Sequence, residues 1–289
     1  MVALHDGTPV LCHRCLSTSL VTANFNMHPA LPARFVAPPV LSSLLFVGFL
    51  AFLAWSMVAS GLSISKILDG LPRMGILASE MLPPATNRLD AVAYQTLITA
   101  QMALVGTVIG VLGSMPLALL AARNTTPHPL IAGLARSVIA FFRTVPDLVW
   151  AIFFVATVGL GPAAGTLAIA VDTMGFCGRF YAESMEEVDP GPGEAIQCIG
   201  GGRISVFTCA ILPAALPGMI ASTLFALEKS VRSSVILGIV GAGGIGVELA
   251  VSMEMFRYDQ AATIILLILV MVLAVEQFAA WSRRKVLGR

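Results

Sequence analysis

The sequence predicts an all-α polytopic membrane protein of about six transmembrane helices. Three observations carry this. Hydrophobic residues make up 57% of the 289-residue chain and charged residues only 11%, less than half the roughly 25% of a soluble domain. So few charges cannot cover a soluble surface of this size, so much of the chain uses lipid as its solvent. The apolar residues also fall in runs near the ~20 residues that a helix needs to cross a bilayer. Finally, a polar, glycine-containing segment around residue 200 is set between long apolar runs, as a loop between spans would be.

The elements follow in order. Residues 1–39 lack an early apolar core and read as a cytoplasmic N-terminal tail rather than a signal peptide. Within the tail, Cys12 and Cys15 have a C-x-x-C spacing, but no second ligand pair follows nearby, which argues against a metal site. The five cysteines are odd in number and mostly inside or beside apolar runs, which argues against a disulfide framework. The first span is expected over residues 40–62. Residues 63–91 are mixed and form an external segment, with apolar residues at helical spacing (Ile67, Leu71, Ile76, Leu77) that suit an interfacial helix. A transmembrane core is expected over 92–289. Its spans run from about Val92 to Ala121, Leu130 to Leu160 with a break at Arg143–Asp147, Ala163 to Ala182, Ile204 to Leu227, and Ala261 to Trp281. A polar loop, 183–203, lies between the spans Ala163–Ala182 and Ile204–Leu227, and a glycine-rich, partly apolar stretch, 228–257, precedes the last. The excess of Lys and Arg, mainly the cluster Arg283, Arg284, Lys285 and Arg289, places both termini and this loop in the cytoplasm. Net charge is +1, which argues against a nucleic-acid partner.

The loop carries Gly193-Glu194-Ala195-Ile196-Gln197-Cys198-Ile199-Gly200, followed by Ala210-Ile211-Leu212-Pro213. This resembles the cytoplasmic EAA loop of ABC-importer permeases, with Glu194, Ala195, Gly200, Leu212 and Pro213 on the pattern, Ile196 in place of the second Ala, and Ala210 where Ile is usual. Two further segments, Phe142–Trp150 with Val158–Pro162, and Val231–Gly246, resemble phosphonate ABC-transporter permeases. The resemblance covers about residues 85–282 and implies the MetI-like permease fold. It implies import of phosphonate or a related phosphorus oxyanion (phosphate, phosphite), two ATPase subunits that bind ATP and Mg, an external binding protein, and a second permease subunit, identical or paralogous. The chain itself is then a transport subunit without a cofactor or catalytic residues.

Each candidate site has a functional and a structural reading. Asp189–Gly193 reads as a turn, after which Glu194 opens a short helix ended or bent by Gly200. Such a helix can lie in a groove on the ATPase; otherwise it is an ordinary capped loop. Arg143 and Asp147, with Pro146 between them, are four residues apart on one expected helix face, where they can pair. They belong either to the translocation path or to a structural ion pair, since ionisable groups inside spans are costly. Glu228, Lys229 and Arg232 are expected at the outer end of the fifth span. A Glu228–Arg232 pair is allowed there, and Arg232 either guides the anion or anchors at the interface. Asp172 and His128 are single polar residues without an assignable partner and read as structural. Gly241, Gly243 and Gly244 sit in a G-x-G-x-x-G string without the βαβ alternation of a dinucleotide site; close helix packing at a gate or a re-entrant segment fits better.

No G-x-x-x-x-G-K-[ST] phosphate loop is present, so ATP hydrolysis by that route falls to a partner. A membrane-embedded enzyme would need paired acids or a His-rich set within spans, and the four His are all outside clear spans. An importer of the same architecture for methionine or glycine betaine remains the nearer alternative.

Overall fold

A computed structural model describes residues 40–61 and 63–287. The readings made for the tail, including Cys12 and Cys15, lie outside the described residues. The described residues are helical, with no strand among them. The chain divides into two units, residues 1–68 and 69–289. In the first, α1 (Val40–Ala59) is uncharged and has no buried residue. The helix α2 (Ile64–Glu80) crosses the unit boundary and contains Pro72.

The second unit is built around α6 (Pro162–Glu186), which packs against α3 (Leu89–Ala121), α4 (Pro129–Thr144), α5 (Asp147–Val158) and α9 (Leu212–Leu237). The α3–α6 contact is close for a local reason. Gly106 and Gly110, one turn apart on α3, lie against Ile169 and Thr173; a Cβ on Gly106 would sit 2.7 Å from Ile169 Cγ2, and one on Gly110 2.5 Å from Thr173 Cβ. Small residues at this spacing let membrane helices approach backbone to backbone. Below this contact, buried Ala118, Ala121, Cys177, Tyr181, Met185 and Met219 form the largest apolar cluster. The Tyr181 hydroxyl is shared with Thr223 Oγ1 at 2.5 Å.

Among the described residues, four helical stretches are long and apolar enough to cross a membrane: Val40–Ala59, Leu89–Ala121, Arg203–Ala242 and Tyr258–Val286. The pair α4 and α5, bent by 86°, makes five if it is one span. The bend falls where the sequence reading placed the interruption. The span expected at Ala163–Ala182 is an unbroken 25-residue helix, α6, but it does not meet the apolar criterion. Its centre carries Asp172 and its end Arg179, Glu183 and Glu186. A helix enclosed by four others does not need a lipid-compatible surface all round.

The fifth span is longer than expected. It does not end at Leu227 but continues as one helical rod from Arg203 to Ala242: α8 (Arg203–Val206), a π-helical segment (Phe207–Ile211), α9, and a second π-helical segment (Gly238–Ala242). Within that last segment the backbone kinks at Gly241, which is not helical, and the run ends at Gly243 and Gly244; the three have φ of +88°, +84° and +78°, a region that L side chains rarely adopt. Then α10 (Ile245–Glu254) and α11 (Tyr258–Leu287) complete the chain.

Candidate functional site

The polar loop folds into α7 (Pro190–Cys198). The helix begins four residues earlier than the sequence reading placed it: Asp189, not Glu194, stands at its start. The Asp189 carboxylate accepts from Gly191 N–H at 3.0 Å, and Pro190 occupies the first helical turn, where its missing N–H costs nothing. Glu194 and Ala195 lie in the second turn, both exposed. Gly200 closes the helix with φ +88°; its N–H reaches Gln197 O at 3.0 Å, and Gly201 N–H reaches Ile196 O at 2.9 Å. No atom lies within 4 Å of where a Gly200 Cβ would project. The other motif residues, Leu212 and Pro213, start α9: Leu212 packs on the large apolar cluster, and Pro213 is exposed. Thus α7 is an outward-facing short helix tied at one end to α6 and at the other to the 203–242 rod.

Close to α7 a set of hydrogen bonds joins three helix ends. Glu186 Oε1 accepts from Arg136 Nη2 at 2.5 Å and from Arg123 N–H at 2.8 Å. Arg136 Nε donates to Ala121 O at 2.9 Å, and Asn124 Nδ2 to Met185 O at 2.5 Å. This clasp holds the α3–α4 turn against the end of α6, so α7 is anchored to a rigid base. The sequence reading did not find it; the signal was polar residues at the ends of two adjacent spans. His128 has a local task instead, capping α4 through Nδ1, which accepts from Leu130 N–H at 3.2 Å.

Arg143 and Asp147 do not pair. The 86° bend at Val145–Pro146 removes the common helix face on which the four-residue spacing relied. Asp147 instead begins α5, accepting from Leu148 N–H at 2.9 Å and from the Ser233 hydroxyl of α9. Arg143 is exposed and has no ion-pair partner among the described residues; its backbone packs against Gly175 of α6.

Nor do Glu228 and Arg232 pair. Glu228 is buried and binds Arg283 of α11 at 2.6 Å, because α11 packs along that face of α9. Arg232 is exposed and unpaired among the described residues. These residues are not at the end of the rod but well inside it, ten residues or more before Ala242. Asp172, expected to lack a partner, holds Lys229 through both carboxylate oxygens, at 2.7 and 2.9 Å. One position along, Thr173 Oγ1 lies 3.4 Å from Ser230 Oγ. The structure therefore brings Asp147, Asp172, Thr173, Lys229, Ser230 and Ser233 into one polar layer between α5, α6 and α9.

The glycine string forms a crossing point. Gly161 N–H donates to Gly241 O at 3.1 Å, and Ile245 N–H to the buried Thr99 hydroxyl at 2.7 Å. A Cβ on Gly243 would lie 2.7 Å from Pro162 N, and one on Gly244 would overlap Thr99 Oγ1. Here α3, the start of α6, the rod and α10 meet with no room for side chains. No cluster of three or more His, Cys, Asp or Glu able to hold a metal occurs among the described residues.

Comparison with known proteins agrees with this architecture. Residues 114–288 match the family of binding-protein-dependent transport system inner membrane components. The chain is 40% identical over 215 residues to the phosphate-import permease PhnE of Mycolicibacterium smegmatis, covering 74% of this chain and 40% of that protein. It is 39% identical over 223 residues to the phosphite transport system permease PtxC of Stutzerimonas stutzeri, covering 77% of this chain and 81% of that one. The chain thus spans less than half the length of the mycobacterial relative and most of the other. In fold it is similar to a subunit of the MetNI methionine ABC transporter in an inward-facing conformation, with a TM-score of 0.62 and 20% identity over 70% of this chain and 99% of that one. An all-helical core with a broken span and an exposed helix between two long ones is thus a fold shared with that transporter subunit. The chain belongs to the family of binding-protein-dependent transport system inner membrane components; it is a multi-pass bacterial membrane protein and a transport component.

Proposed function

We propose that this chain is the membrane-spanning subunit of an ATP-driven importer for a phosphorus oxyanion, either phosphonate, phosphate or phosphite. The single observation that carries the coupling half of this reading is α7: an exposed, capped helix bearing Glu194, Ala195 and Gly200, tied directly to α6 and to the 203–242 rod. The substrate half rests on the names of the relatives that share about two fifths of their aligned residues with it. The likeness to the methionine transporter is one of fold and does not favour methionine.

In this reading two permease subunits, identical or paralogous, enclose the path. Two ATPase subunits dock on α7 from the cytoplasm, where both termini also lie, and they hold the ATP and Mg. An external binding protein delivers the solute. ATP binding closes the ATPase pair and carries the two α7 helices with it. Because α7 joins α6 to the rod, that motion reaches the polar layer between them. The π-helical segment Phe207–Ile211 lies in the first turns of the rod after α7; such segments are frequent at functional sites. Glu194, Ala195, Gly200, Leu212 and Pro213 make or support the ATPase contact. Arg143, Pro146, Asp147, Glu228 and Arg232 belong to the path, and Gly241, Gly243 and Gly244 to its gate. The test is a cysteine placed at Glu194 in a chain cleared of native cysteines. It should cross-link to the co-purified ATPase; an intact complex in which it reaches only solvent would refute the docking role.

A further inference from the structure

The Asp172–Lys229 pair has features that a simple structural clasp does not require. Both groups sit in the interior of long helices, yet Lys229 keeps 40% of its side chain exposed against 17% for Asp172. The ammonium has three donors. Two are directed at Asp172, and the ammonium also lies over the Phe176 ring, 5.5 Å from the centroid. Phe176 in turn stacks on Phe225 of α9. Around the pair, Asp147 accepts from the Ser233 hydroxyl and Glu228 is taken up by Arg283, so neither carboxylate competes for Lys229. Arg143 packs on Gly175, one helical turn from Asp172. Ionisable groups inside a span are costly, so packing alone does not explain the pair's place there.

We propose that Lys229 and Asp172 form an anion-exchange gate in the translocation path. The crossing phosphorus oxyanion replaces the Asp172 carboxylate on the Lys229 ammonium, and Asp172 takes the cation back when the solute leaves. This deepens, and rests on, the importer reading above. The chemistry is a swap of one oxyanion for another on the same donor, so no bond is made or broken. A dianion in a low-dielectric span needs a compensating cation, and a resident carboxylate prevents that cation from becoming a trap. Lysine suits this better than arginine, since a single ammonium offers a point charge without the two-pronged grip of a guanidinium.

The experiment uses the complete complex in proteoliposomes and measures uptake of phosphate and phosphite. The double variant Asp172→Leu/Lys229→Met replaces the pair by an apolar contact. It should assemble and keep ATP hydrolysis stimulated by the loaded binding protein, while uptake falls about tenfold or more. Asp172→Asn leaves Lys229 without its carboxylate, so phosphate inside the vesicle should inhibit uptake at concentrations roughly threefold or more below those for wild type. Wild-type uptake by the double variant overturns the gate, as does unchanged internal inhibition in Asp172→Asn, which decides the matter if the double variant does not assemble. Absence of oxyanion uptake by the wild-type complex instead overturns the importer reading and the gate with it.

Discussion

Replacing Gly200 separates backbone strain from steric blockade at the proposed docking helix. Gly200 ends α7 in the left-handed region, φ +88°, and any L side chain there costs roughly 1–2 kcal/mol. That cost is purely conformational, because no heavy atom lies within 4 Å of the new Cβ. Gly200→Ala therefore frays the last turn of α7 by a factor of about 5–30 in the local equilibrium, while Asp189 still caps the other end. Gly200→Asn should lose less, since Asn tolerates this region best among non-glycine residues. Gly200→Trp carries the same strain and adds an indole of roughly 150–250 Å² to a face that is open in the isolated subunit. The assay is co-purification of the ATPase, then ATP hydrolysis and uptake measured side by side. The Ala and Asn variants should assemble and transport with a modest loss. The Trp variant should either fail to retain the ATPase or hydrolyse ATP without uptake. Wild-type uptake by Gly200→Trp, with the ATPase bound normally, would refute the argument that this face is occupied in the complex.

Other consequences are open to direct measurement. Impermeant thiol labelling of intact cells should reach a cysteine at Thr86 and miss one at Glu187; the reverse pattern would invert the topology. Gly246→Ala should abolish folded protein on a detergent-extracted size profile, because its Cβ would overlap the Val235 carbonyl oxygen. Gly133→Ala, with open space around it on α4, should raise thermal stability by about 0.5–1 kcal/mol. Arg232→Gln should lower the uptake rate without altering assembly, and Arg232→Lys should recover part of it, since charge is kept and the guanidinium fork is lost.

How much was legible in the sequence depends on whether a feature is local. The break at Arg143–Asp147 was visible because Pro146 must interrupt a helix, and the structure turns there by 86°. The segment that forms α7 was visible as a polar run, though the start of its helix was misplaced by four residues. Gly191 and Gly193 suggested a turn, whereas the Asp189 cap and Pro190 at the first position start the helix earlier. Ion pairing was the part least open to sequence reasoning. Both expected pairs used four-residue spacing on one helix. In each, tertiary structure intervened: the bend separates Arg143 from Asp147, and Arg283 from another helix takes Glu228. The Asp172–Lys229 pair joins residues 57 apart in sequence. Asp172 was visible as a single polar residue in a span and Lys229 as one of three charges at a span end, but only the register of α6 on α9 makes them partners.

The most direct test of the account is ATP-driven uptake by the purified complex of this chain, its ATPase and its binding protein in sealed vesicles. Radiolabelled phosphate, phosphite and a simple alkylphosphonate are offered in parallel with methionine. The account predicts that at least one phosphorus oxyanion accumulates, only with ATP and binding protein present, and that methionine does not. Accumulation of methionine with none of the three oxyanions would contradict it.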